Sequence, residues 1–423
     1  MRKAKINEKN ESINNKTNKK KPNFIKLFIV TIVCVLIYSQ LYSLVMYTLG
    51  KKDNDYLYNF ITSFVNNKKE TKSEDSTVKL LALGSVYASP NIIKSHRNNS
   101  SYDFTSGYDK LKDITNKYDV VLASLASPIA GSGLGYSTTK VYNSPDELAL
   151  LFKYLNVSLV TCATTNMLDK NEKGVINTID TLNKSDIKNT GINKSNDFKP
   201  VILDKNNIKI GILSYTDKSS IKSVKQKEYL VNVLNEENIK RDVKFLNDNN
   251  VDYIITYLDI DNTDAHRINA NQKDLVNLLI DNKIDVIIGT GSKVVQEEVN
   301  DIVTTGEEQK HVYYIYSVGD LLGDMTTEAR KTSVGVDITF TKSMTKDKKG
   351  EVIDSSVKKN MTINKPVKLY NDVTKSYKLT NYPIDITLDK YKSDNSVLDK
   401  NTYENIINSN KELEKVLIKK EGI

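Results

Sequence analysis

VTCATTNMLDKNEKG, residues 160–174, is the stretch on which the fold turns. An apolar run, residues 157–160, leads into it. After it, Val175, Ile179 and Leu182 recur at the spacing of one helix face. A polar loop between a buried strand and an amphipathic helix belongs to an open α/β sheet, and such sheets gather ligands at these strand ends. The loop stands where chemistry is expected. Yet it offers mainly hydroxyls and amides, with no histidine.

The pattern repeats on both sides. VKLLALGS (78–85) is an apolar strand ending in Gly-Ser, and VVLASLASPIAGSG (120–133) is a second buried strand entering a small-residue loop. Ser144, Pro145 and the acids after them predict an N-cap and first turn for a helix over 144–156. VILD and IKIGIL, joined through Asn206 and Asn207, predict a β-hairpin. Helices are expected over 236–249, 269–282 and 398–420, and strands over 251–262, 284–290, 311–324 and 333–343. Alternating strands and helices predict an α/β fold, and the added hairpins suggest a sheet sandwich flanked by helices.

The formal net charge of the 423 residues is +8. Most of it is an N-terminal tail: residues 1–22 hold Arg2 and seven lysines against Glu8 and Glu11. The remainder is nearly neutral, which argues against a nucleic-acid partner. Residues 24–50 follow, with no charge from Leu27 to Leu49. That length predicts a transmembrane signal anchor, and the cationic flank predicts a cytoplasmic N-terminus. Residues 51–77 read as a stalk, 78–343 as the α/β domain and 344–423 as a C-terminal extension of short strands and a terminal helix. The expected location is the cell membrane, single-pass, with the main domain outside. Cys34 and Cys162 do not suggest a disulfide; Cys162 reads as a small buried residue.

The strand-end loops carry a family resemblance. GSVY (84–87), SLAS from Ser124 with Pro128 after it, ATTNMLD (163–169), DID (259–261), KIDVIIGTGSKVVQ (283–296) and YSVGDL (316–321) stand in order. Together they resemble the capsule-synthesis CapA-like family, whose pattern runs GDVML, ANLE, ANNHxxDxGxxGxxxT, HWGxE, GADxIIGxHPHVxQ and YSLGNF. The resemblance covers about residues 78–340. It implies a calcineurin-like metallophosphatase fold and a part in assembling poly-γ-glutamate capsule or another surface polymer.

The departures concern the family's metal ligands. At the matching positions stand Ser85, Ala126, Thr165, Asn166, Asp259, Thr290 and Lys293. Two-metal hydrolytic sites need carboxylates and imidazoles that hold ions and activate water. Only Asp259 is a strong ligand, and Lys293 brings a positive charge where a cation would bind. The expected cleft is therefore Ser85, Asn166, Asp259, Asp261 and Lys293, with no cofactor and no catalytic residue. The expected role is a non-catalytic one that binds a polymer or a capsule-assembly protein. The alternative is a hydrolase or ligase acting on an envelope polymer, with Mg²⁺ or Ca²⁺ on a rearranged acidic site of Asp259, Asp261 and Asp264, joined by Asp169 or Asp320. His96, His266 and His311 stand outside the motifs. GSGLG (131–135) lacks the phosphate-loop lysine and reads as a turn.

Overall fold

The computed structural model describes residues 72–217, 227–260, 265–305, 308–346 and 357–417, with scattered helical positions between 31 and 42. The chain divides into two units. One, Met1–Lys72 with Asp347–Glu351, lies largely outside the described residues, as do the expected anchor and residues 51–71 of the expected stalk; residues 72–77, read as stalk, form instead the start of the first strand. Among the described residues no helix is long and apolar enough to cross a membrane. The other unit, Ser73–Lys346 with Val352–Ile423, carries the fold.

Its strands begin with β1 (Lys72–Val86), β2 (Arg97–Asn98), β3 (Ser101–Tyr102), β4 (Val120–Leu125), β5 (Leu159–Thr161) and β6 (Lys188–Thr190). Next come β7 (Val201–Lys205), β8 (Ile208–Thr216), β9 (Tyr253–Asp259), β10 (Val286–Thr290), β11 (Glu298–Thr305) and β12 (Glu308–Ile315). The last are β13 (Asp320–Leu322), β14 (Thr332–Lys346), β15 (Lys358–Ile363), β16 (Val367–Val373) and β17 (Leu379–Pro383). The helices are α1 (Pro90–Ser95), α2 (Asp109–Thr115), α3 (Leu148–Tyr154), α4 (Asn171–Lys184), α5 (Glu236–Asp248), α6 (Ala270–Asp281), α7 (Ile384–Ser393) and α8 (Lys400–Leu417).

Two sheets form. The first runs β17-β16-β14-β1-β4-β5-β6, with β13 on β1 and β15 on β14; the second runs β11-β12-β10-β9-β8-β7. Their inner strands are parallel: β1, β4, β5 and β6 in one, β8, β9, β10 and β12 in the other. Side-chain alternation sorts three apolar layers. Leu80, Ala82 and Leu122 face Ile212, Ile255 and Val286 between the sheets. Leu81, Leu83 and Ala123 face outward onto Leu148, Phe152, Val175 and Leu182 of α3 and α4. Ile254 and Ile287 of the second sheet pack on Ile239, Leu246, Val276 and Leu279 of α5 and α6. The result is a sheet sandwich with helices on both sides.

Local signals explain most elements. Asn206 and Asn207 hold φ of 50° and 61°, the left-handed pair that a tight hairpin needs, so β7 and β8 pair as expected. Asn269 caps α6 in a capping box with Gln272. The helix expected from 144 starts instead at Leu148. Ser144 is not its cap, because its buried hydroxyl accepts from the Ala88 amide and pairs with Ser127. Beyond residue 343 the chain stays in the first sheet: β14 pairs with β16 and β16 with β17. Lys368 on β16 is only 3% exposed and binds both Asp385 of α7 and Glu414 of α8.

The sheets are joined by the passage from β12, in the second, to β13, in the first. That passage, YSVG, squeezes between two glycines: a Cβ on Gly289 would lie 2.0 Å from the Tyr316 carbonyl oxygen, and one on Gly84 2.1 Å from that of Gly319. Gly319 itself has φ of 71°. β1 shifts register against β4 between Ala82 and Ser85. In this irregular stretch the Leu83 carbonyl accepts from the Tyr257 hydroxyl of the second sheet, at 3.1 Å in the core.

Substituting Gly84→Ala is expected to cost about 3 kcal/mol, because the obstacle is backbone that cannot rotate away. Gly133→Ala, with nothing within 4 Å of the new methyl, is expected to stay within about 0.5 kcal/mol. Urea denaturation of the two variants checks the contrast.

Candidate functional site

The strand ends converge. A cleft of about 130 Å³ is lined by Ser85, Tyr87, Ala126, Tyr142, Thr164, Thr165, Asn166, Asp259, Gly291, Lys293 and Asp320. Ser85 ends β1, Thr165 and Asn166 follow β5, Asp259 ends β9, Lys293 follows β10 and Asp320 opens β13. Ser85, Asn166, Asp259 and Lys293 thus share one cavity, at the carboxyl ends of parallel strands from both sheets. Asp261 and Asp264 lie outside the described residues. Asp169 does not line the cleft; its Oδ2 accepts from the Tyr142 amide at 2.7 Å and so braces one wall.

Asp259 is 3% exposed. Its Oδ1 accepts from the Thr165 amide at 2.9 Å and hydroxyl at 2.8 Å, and its Oδ2 from the Thr290 hydroxyl at 3.2 Å. The 160–174 loop is thereby clamped to the second sheet. Thr290 is the last residue of β10 and serves this clamp; in register with the family pattern the first histidine of HPH falls on Gly291. Gly291 lines the cleft instead, with φ of 96° and the Ile260 carbonyl oxygen 2.3 Å from where its Cβ would be. No imidazole fits there without moving backbone. Asn166 donates to the Ala126 carbonyl at 3.4 Å.

Asp320 is fully enclosed. Burial pushes its carboxyl up to about 8, against the pull of Lys293 and Arg330 and with a further push from Asp259. Tyr87, beside it, is raised well above its ordinary value by burial and then by the Asp320 charge. Its hydroxyl accepts from the Asp324 amide at 3.1 Å, and its ring meets Tyr142 edge-on at 5.5 Å. Lys293 makes no hydrogen bond or ion pair with any described residue, although its charge is felt at Asp320. The Ser85 hydroxyl is buried and likewise without a partner among the described residues.

The donor set does not suit the metal that the family resemblance implies. Only two carboxyls line the wall, one spent on threonine donors, and a lysine stands among them. Among the described residues no group of three or more His, Cys, Asp or Glu is placed to hold a metal. The histidines lie elsewhere. His96 is buried against Phe104, His266 donates to the Val295 carbonyl, and His311 pairs with Asn300. Tyr87 and Tyr142 escaped the sequence reading. Tyr87 sits inside the quoted GSVY, where a hydrophobic core residue was the natural reading. Tyr142 has no local signal and is brought in by the return of the 126–144 loop.

Asp320 gives the site a pH signature. Its folded value lies above the ordinary 3.8, so its contribution to stability is complete below that value and is lost as pH rises through about 8. Relative to Asp320→Asn, the natural chain is expected to lose stability steadily from pH 5 to 8.5. Melting temperatures across that range check it, and parallel curves would contradict it.

No curated protein sequence matches the chain. Among solved structures, a 5'-nucleotidase precursor from Thermus thermophilus overlaps with a TM-score of 0.37 at 13% identity, covering 68% of this chain and 54% of its own. The sulfate thiohydrolase SoxB of Thermus thermophilus gives 0.34 at 11%, covering 67% and 56%. The chain spans little more than half the length of either protein, and likenesses this shallow do not bear on its chemistry. The pattern of the bacterial capsule synthesis protein family, PGA_cap, matches residues 79–325, a span that holds every residue of the cleft wall, and the chain belongs to that family.

Proposed function

We propose that this protein is a membrane-anchored, non-catalytic component of capsule or cell-surface polymer synthesis, poly-γ-glutamate-like in kind, whose cleft binds rather than hydrolyses. Family membership supports the process. The apolar run 27–49 behind a basic tail supports the anchor, with the folded unit outside the cell. The observation that carries the non-catalytic reading is Lys293. It stands in the cleft wall with two carboxyls, one of them already held by three hydrogen bonds from threonines. A cation site would have to overcome that fixed positive charge and would still lack ligands. The partner is a surface polymer or a capsule-assembly protein met in this cleft.

Metal analysis of the purified full-length chain tests the reading. Metal well below one ion per chain is expected, with no rise in melting temperature on adding Mn²⁺, Mg²⁺ or Ca²⁺. A tight ligand at a hundred times its Kd would add about 2.7 kcal/mol. A stoichiometric ion that is lost on combining Asp259→Ala with Asp261→Ala would instead establish an acid-based metal site. Protease added to intact cells is expected to cleave the folded unit and spare the first twenty or so residues; full protection would sink the topology.

A further inference from the structure

The cleft has changed the sign of what it can hold. At three positions where the family pattern has metal ligands, this chain presents donors, while Asp259 keeps an acceptor. Ser85 stands for an aspartate, Asn166 for a histidine and Lys293 for a histidine. Two of these donors are unspent. The Ser85 hydroxyl is 2% exposed, lines the cavity and has no hydrogen-bond partner among the described residues. The half-buried Lys293 ammonium has none either. A buried hydroxyl left unpaired costs about 1–3 kcal/mol, and a cation drawn from water costs more unless an opposite charge meets it.

The acidic groups nearby do not supply that charge directly. Asp259 shares its charge with the Thr165 amide, the Thr165 hydroxyl and the Thr290 hydroxyl. Asp320 lies against Tyr87, and its carboxyl favours the neutral form. The cleft, of about 130 Å³, has room for one carboxylate or phosphate group.

We infer that this cleft binds a single oxyanion, the carboxylate or phosphate group of a longer molecule, between the Lys293 ammonium and the Ser85 hydroxyl. The inference rests on reading the cleft as a binding site rather than a hydrolytic one. It adds the chemistry of the group bound. Lysine suits this task as a compact charge with three donors, and the serine completes the hydrogen bonding in a dry pocket.

Isothermal titration calorimetry of the full-length chain, with sodium phosphate in one arm and sodium acetate in the other at fixed ionic strength, tests it. Saturable binding in either arm is expected; phosphate alone or acetate alone names the group, and both together mean either is accepted. Lys293→Met is expected to weaken binding about tenfold or more. Ser85→Ala is expected to weaken it about threefold without lowering the melting temperature, because the hydroxyl has no partner to lose. Absence of saturable binding in both arms overturns the inference, and so does unchanged affinity in Lys293→Met. Should that variant not fold, Ser85→Ala decides, with unchanged affinity overturning it. Failure is separable from failure of the metal-free reading. A chain with a stoichiometric ion sinks that reading, whereas a metal-free chain indifferent to both anions sinks only this one.

Discussion

The structure depends on a passage too narrow for a side chain. Between β12 and β13 the backbone crosses from one sheet to the other, and the carbonyls of Tyr316 and Gly319 lie where Cβ atoms on Gly289 and Gly84 would be. The crossing sets how the two sheets meet. Val318 donates to the Gly289 carbonyl of the second sheet, and Val334 of the first sheet donates to the Val318 carbonyl. The ends of β1, β9 and β10 are thereby held around one opening. The cleft follows from that steric contact and from the parallel order of the strands, whichever side chains fill it.

This separates two kinds of constraint. A backbone approach near 2 Å admits only glycine, so scaffold positions such as Gly84 and Gly289 cannot drift without shifting a sheet, and Gly319 is held by its φ of 71°. A ligand position is held only by the ion it serves. Once that chemistry is absent, a hydroxyl, an amide or an ammonium fits the same space. Here the backbone contacts are tight, most ligand types of the family pattern do not stand at the matched positions, and Asp259 clamps the 160–174 loop.

The C-terminal residues belong to the same construction. β16 and β17 widen the first sheet past β14, and Asn381 of β17 donates to the Gly107 carbonyl just before α2. Tyr370, Ile384, Ile406 and Leu413 close one end of the layer between the sheets. Lys368, buried and paired with the partly exposed Asp385 and the exposed Glu414, pins α7 and α8 to that end. Two neutralising partners make such a buried cation tolerable.

Much was legible from the sequence because it is local. Continuous apolar runs announced strands buried on both faces, paired asparagines the β7–β8 turn, and the 269–282 pattern helix α6. Ordered strand-end motifs located Ser85, Asn166, Asp259 and Lys293, which one cavity indeed brings together. What spacing could not give are relations between residues far apart in the chain. Ser144 looked like a helix cap until Ala88 and Ser127, both distant in sequence, claimed its hydroxyl. Nothing beside Thr290 in the sequence announced that its hydroxyl meets Asp259. Tyr142 entered the wall only because Asp169 holds its amide. The sequence by itself determined the alternation of elements and the loss of ligand types, since both are properties of neighbouring residues. Tertiary structure alone decided which donors stay unpaired, because a partner is set by distance in space.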